Sequence, residues 1–135
     1  IIVKADQIIS TRYVGAPRGS INCIDLHDCP REKAGIPSGE RYELCRSVHA
    51  EMNAIIHAAR PEMIGATLYL ACLSPQTGER VVGVRPCKLC TRMIINAGLD
   101  WVVVDGPDGG VIRYAVQDWV RQDRGVWAKE NIHGY

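Results

Sequence analysis

The chain has 135 residues, 47% of them hydrophobic, and a formal net charge of +1. That size suits one domain with a core of its own, and the dispersed, near-balanced charge excludes a polycationic surface for nucleic acid or an anionic membrane. No apolar run reaches the roughly 18 to 20 residues of a membrane span and no basic-then-apolar leader opens the chain, so a cytoplasmic protein acting on small molecules is expected.

The opening stretch IIVKADQIISTRYV places two β-branched runs around Ala5-Asp6 and predicts a hairpin. It is strand-like from its first residue, so a further element is expected ahead of it in the natural chain. From Gly15 to Gly39 runs a loop rich in Gly and Pro, too long to be stable without something to organise it. His49 to Arg60 carries Met52, Ile55, Ile56 and Ala59 at helical spacing, with Pro61 as the stop. ATLYLACL then reads as a strand that buries Cys72, and Ser74 to Arg85 as a small hairpin or excursion around a Thr-Gly turn. PCKLCTRMIINAG predicts a second helix, with Pro86 in its first turn, Met93, Ile94 and Ala97 toward a core and Gly98 as its C-terminal cap. WVVVDG is a buried strand, and YAVQDWVRQDRGVW a third helix with Val116, Trp119 and Val120 on one side and a weak point at Gly125. Alternating strands and helices predict an α/β protein with a largely parallel sheet.

His49 and Glu51 stand two apart, a spacing that points side chains away from each other in a regular helix. At the very start of a helix, where the backbone has not settled into turns, both can aim beyond the N-terminal end. Cys87 and Cys90, three apart in the first turn of the next helix, share one face. The partial positive charge of a helix N-terminus stabilises thiolates, the form that binds metal. His49, Cys87 and Cys90 therefore make three ligands for a tetrahedral Zn²⁺, leaving the fourth position to water as in catalytic zinc sites. Zinc lowers the pKa of such a water toward about 7, and Glu51 is placed to carry its proton. A lone C-x-x-C suits a redox pair or a structural half-site equally well. The combination of H-x-E with P-C-x-x-C is a known signature of zinc-dependent nucleobase deaminases.

IISTRYVGAPRG, CRSVHAEMNAIIHAA, ATLYL and PCKLCTRMIINAG together resemble the cytidine and deoxycytidylate deaminase superfamily, the deoxycytidylate (dCMP) deaminases above all. The resemblance implies a single zinc-dependent deaminase domain over residues 1–135, a three-layer α/β/α sandwich around a five-stranded mixed sheet, without the helix that relatives place before the hairpin. It implies hydrolytic replacement of a ring amino group by oxygen, dCMP giving dUMP and ammonia. His49, Cys87 and Cys90 match the zinc ligands, and Glu51 the shuttle that protonates ring nitrogen N3, a role worth typically 10²- to 10⁴-fold. The alternatives are a deaminase of another nucleoside, base or nucleic-acid-embedded base, and a zinc-bearing interaction module without catalysis; Glu51 has no use in the latter.

Arg18, in the GAPRG turn, suits a phosphate contact through its guanidinium fork, and Ala50 is the other candidate at the substrate. Two departures stand out. Arg12-Tyr13-Val14-Gly15 replaces the family's Gly-Tyr-Asn-Gly, whose Asn side chain contacts the nucleotide, and the Ser74 to Arg85 path is longer than usual. Cys23, His27, Cys29 and Cys45 have the composition of a second, structural zinc site that would organise the long loop; the other reading is reduced cysteines packing as small hydrophobes. Homo-oligomers are common among relatives, and the apolar MIINAGLDWVVV with Trp119 and Trp127 points the same way.

Overall fold

A computed structural model describes residues 1–37 and 40–127, the last five of these by backbone alone. Gly39 and the side chain of Trp127 lie outside the described residues. The hairpin forms as expected from β1 (Ile2–Lys4) and β2 (Gln7–Ser10). Ala5 and Asp6 turn it with φ of 48° and 60°, the left-handed pair that matches the twist of a two-residue hairpin. With β3 (Thr67–Leu70), β4 (Trp101–Asp105) and β5 (Val111–Ala115) they make one five-stranded mixed sheet in the order β2-β1-β3-β4-β5.

The sheet is less parallel than the alternation of elements predicts. Only β3 and β4 run parallel, with Leu68 opposite Val102; β5 returns antiparallel to β4. A tight turn over Pro107–Gly109, with Asp108 at φ 55° and Gly109 at φ 74°, makes that return possible. Tyr114 and Ala115 therefore finish a strand, and the last helix starts only at Val116. Their sequence gave β5 no clear period, because its side chains alternate only between exposed and half-buried.

Among the described residues six α-helical segments accompany the sheet: α1 (Cys23–Leu26) and α2 (Pro30–Lys33) in the long loop, α3 (Ala50–Ile56), α4 (Arg60–Met63), α5 (Lys88–Ala97) and α6 (Val116–Trp127). Pro61 does not stop the first predicted helix; α3 ends at Ile56 with His57 as its C-cap, and Pro61 sits in the first turn of α4, where a missing N–H costs nothing. Pro86, by contrast, stands ahead of the N-cap Cys87 rather than in the first turn of α5. Among the described residues no helix is long and apolar enough to cross a membrane.

The core lies between the sheet and the helices. Ile2, Leu68, Val102 and Val104 meet Ala54 of α3, Met63 of α4, Ile94 and Ala97 of α5, and Val116 of α6. Strand alternation sends their neighbours to the other face of the sheet, where Tyr69 and Trp101 stay 47% and 37% exposed. Ile94 is fully buried where α5 crosses this core, so Ile94→Ala should lower stability by about 2–5 kcal/mol in urea titration. Gly98 ends α5 at φ 83°, and an added Cβ would stand 3.1 Å from Ile64 Cγ1. Strain and crowding then act together, and Gly98→Ala should cost about 1–2 kcal/mol by the same measurement.

Candidate active site

His49 and Cys87 occupy equivalent places, as N-caps of α3 and α5, with extended backbones at ψ 154° and 165°. Neither side chain caps its own helix. The two helices pack side by side, and their free side chains turn toward each other across the gap between the helix starts. His49 Nδ1 stands 3.5 Å from Cys87 Sγ and 3.4 Å from Cys90 Sγ. Ligands held at zinc–nitrogen and zinc–sulfur distances on tetrahedral corners are about 3.3–3.8 Å apart, so this spacing fits the ion. Cys90 is fully buried and Glu51 is 7% exposed. Burial first, then the negative charges of Glu51 and Cys87, push the Cys90 thiol well above its usual range. A divalent ion beside the Cys90 sulfur would reverse that preference.

The segment that delivers His49 is held from two sides. Val48 and Gly15 exchange backbone hydrogen bonds of 2.8 and 3.2 Å, and Asn53 of α3 donates Nδ2 to the carbonyls of Tyr13 (3.0 Å) and Val48 (3.3 Å). The segment after β2 is thereby fastened to the entrance of α3. Beside it opens a cleft of about 600 Å³ at the carboxyl ends of β3 and β4, lined by Arg12, Tyr13, Val14, Ala50, Glu51, Cys72, Leu73 and Asp105 among others. Crevices at the carboxyl ends of parallel strands are where α/β sheets bind ligands.

Ala50 and Glu51 both line this cleft. Arg18 does not line it; it lies on an exposed turn closed by Ser20 N–H to the Pro17 carbonyl at 2.9 Å. Arg12 does lie on the cleft wall. Its sequence signal is the Arg that stands where the family quartet has Gly. Cys72 is not a buried strand residue: β3 ends at Leu70, and Cys72 is half-buried in the cleft wall. Ser74 to Arg85 forms a small hairpin-like excursion, bridged between Leu73 and Arg80 and tied to the end of β4 by Arg80 Nη1 to Asp105 Oδ1 (3.3 Å) and Gly83 N–H to the Asp105 carbonyl (2.8 Å). Asp105 Oδ2 is buried with no hydrogen-bond partner among the described residues, an acceptor on the cleft wall.

The second cysteine set is not gathered in the same way. Cys23, His27 and Cys29 line another cavity, of about 730 Å³, which Cys45 does not line. Among the described residues, only His49, Cys87 and Cys90 bring three ligand atoms within 4.8 Å of one another. Cys23 opens α1, His27 caps its other end at φ 48°, Cys29 precedes α2 and Cys45 follows a 3-10 turn, so four separate local geometries orient the four side chains.

One imidazole and two cysteines at paired helix starts, with a buried carboxylate between them and a cleft, place the protein among zinc-dependent hydrolytic enzymes. Residues 1–105 match the cytidine and deoxycytidylate deaminase zinc-binding region, and the chain belongs to that family. It is 35% identical over 108 residues to a deoxycytidylate deaminase of Mycobacterium phage D29, covering 76% of this chain and 73% of the relative. A deoxycytidylate deaminase of Schizosaccharomyces pombe is 32% identical over 103 residues, which is 76% of this chain and 28% of that longer protein. One of Enterobacteria phage T4 is 29% identical over 134 residues, covering 76% of this chain and 63% of the relative. No solved structure matches the chain significantly.

Proposed function

We propose that the protein deaminates dCMP, taking up water and releasing dUMP and ammonia, with His49, Cys87 and Cys90 holding zinc. The observation that carries this reading is Glu51: a buried carboxylate on the cleft wall, in the first turn of the helix that His49 caps. Zinc, when bound, supplies a water acidic enough to act as a nucleophile at neutral pH. Glu51 would take one proton from the attacking water and deliver it to N3 as the water oxygen bonds to C4 and the C4–N3 π pair moves onto N3. It would then pass the proton of the new C4 hydroxyl to the amino group, which leaves as ammonia as the C4–N bond breaks and C4=O forms. Val14 and Leu73 give the cleft apolar walls against which the ring can lie. The test is ammonia release from dCMP, CMP, deoxycytidine, cytosine, adenosine and guanine. Equal turnover of dCMP and deoxycytidine would overturn the nucleotide reading.

Arg12, on the wall of the same cleft, is the group we assign to the phosphate, in place of Arg18. A hydrogen bond to a charged partner is worth about 1.5–3 kcal/mol, so Arg12→Leu should raise KM for dCMP by roughly 10- to 100-fold and leave that for deoxycytidine almost unchanged. Steady-state kinetics on the two substrates checks it. For the loop, a second zinc per chain, lost in a Cys23→Ala, Cys29→Ala double variant, is the outcome that requires Cys23, His27, Cys29 and Cys45 to close around an ion. A single zinc per chain confines the metal to the His49 site.

We further propose a cytoplasmic homo-oligomer. The exposed Tyr69 and Trp101 support it, since large apolar side chains clustered on one sheet face usually mark an interface. A monodisperse single-chain mass of 14.9 kDa in light scattering would rule the oligomer out.

A further inference from the structure

Tyr42 lies just beyond the long loop, outside every motif that identified the zinc site, yet its ring meets the His49 imidazole at 5.1 Å between centroids and 89° between planes. We propose that Tyr42 is a positioning residue: its ring sets the rotation of the His49 imidazole and so the aim of Nδ1 at an ion shared with Cys87 and Cys90. The inference rests on the reading of those three residues as a zinc site.

The need for such a residue follows from the local backbone. His49 is an N-cap, its side chain is not used to cap α3, and the torsion that turns an imidazole has a broad minimum. A metal ligand of this kind is ordinarily oriented by a partner on the side away from the ion. Perpendicular packing against an aromatic ring does the same, because it permits one plane of the imidazole and crowds the others. With the ring so held, Nδ1 faces both thiols, at 3.5 and 3.4 Å.

Tyr42 is itself fixed. The Arg31 guanidinium lies 4.5 Å from the centre of its ring. That guanidinium in turn donates Nη2 to the Pro37 carbonyl at 2.6 Å and Nε to the Glu40 carbonyl at 3.1 Å. Arg31 belongs to α2, and Tyr42 opens the 3-10 turn Tyr42–Leu44, entered through Arg41 in the left-handed region at φ 50°. A stack of Arg31, Tyr42 and His49 therefore runs from the loop to the metal trio. It gives that loop a task at the active site that does not depend on its cysteines.

The test compares Tyr42→Phe, Tyr42→Ala and Arg31→Met with the wild type, using competition of zinc with a chromophoric chelator, and the charge-transfer and d–d absorption of protein loaded with Co²⁺. Tyr42→Phe keeps the ring and should stay much closer to wild type in both than Tyr42→Ala does. Tyr42→Ala should bind zinc on the order of 10- to 100-fold more weakly, the range found when an orienting partner of a ligand is lost, with altered cobalt bands and a kcat that falls more than KM changes. Arg31→Met, which touches no ligand, should shift the same readouts in the same direction by less. Should Tyr42→Ala fail to fold, Arg31→Met decides by itself. Wild-type affinity and cobalt spectrum in the variants that fold, with only the melting temperature changed, would overturn the proposal. A wild-type protein that takes up neither ion would instead overturn the zinc reading beneath it.

Discussion

Glu51→Gln is expected to keep its zinc and its fold while turnover falls by about 10²- to 10⁴-fold, the contribution of a positioned proton carrier. The amide has the size and shape of the carboxylate, so the packing of a residue only 7% exposed is preserved. It cannot take a proton from water or hand one to the ring. One smaller effect on stability accompanies this: a negative charge in the first turn of α3 interacts favourably with the helix dipole, by about 0.3–1 kcal/mol, and the amide gives that up. Metal analysis, thermal unfolding and ammonia release measured on one preparation separate these effects. Turnover within tenfold of wild type would remove Glu51 from the mechanism.

Cys90→Ser should lose zinc through gel filtration and lose activity with it, and a strong chelator should do the same to the wild type. Cys90 is fully buried at the junction of α3 and α5, and a hydroxyl there is both a poorer zinc ligand and a polar group that needs a partner. An ion that binds only the folded chain adds about 2.7 kcal/mol when present at a hundred times its dissociation constant, so removing it should lower the melting temperature by about 10 °C for a domain of this size. Cys72→Ser, altering a half-buried cleft residue outside the trio, should keep the metal. Full zinc content in Cys90→Ser would place the ion elsewhere.

What the linear sequence by itself determined was whatever short-range geometry controls. The Ala5-Asp6 turn, the helix after Cys87 with its Gly98 cap, the buried run Val102 to Val104 and the pairing of His49 with Glu51 at a helix start all follow from φ/ψ preferences and repeat lengths within a few residues. The same local rules erred by small amounts where a neighbour decided the outcome. Val111 to Ala115 became a strand only because the edge of β4 offered it hydrogen bonds, and Pro61 joined a new helix because α3 had already ended. Only the tertiary structure decided which distant groups meet. That α3 and α5 start side by side, that Arg12 rather than Arg18 faces the cleft, that Tyr42 reaches His49, and that Cys23, His27, Cys29 and Cys45 do not bring three ligand atoms together as the trio does are matters of burial and chain closure summed over tens of residues. The burial of Ile2, Leu68, Ile94 and Val102 in one core sets the relative places of the sheet and helices, and with them the metal trio. No comparable core underlies the loop from Gly15 onward, whose path depends on single contacts that leave no period in the sequence.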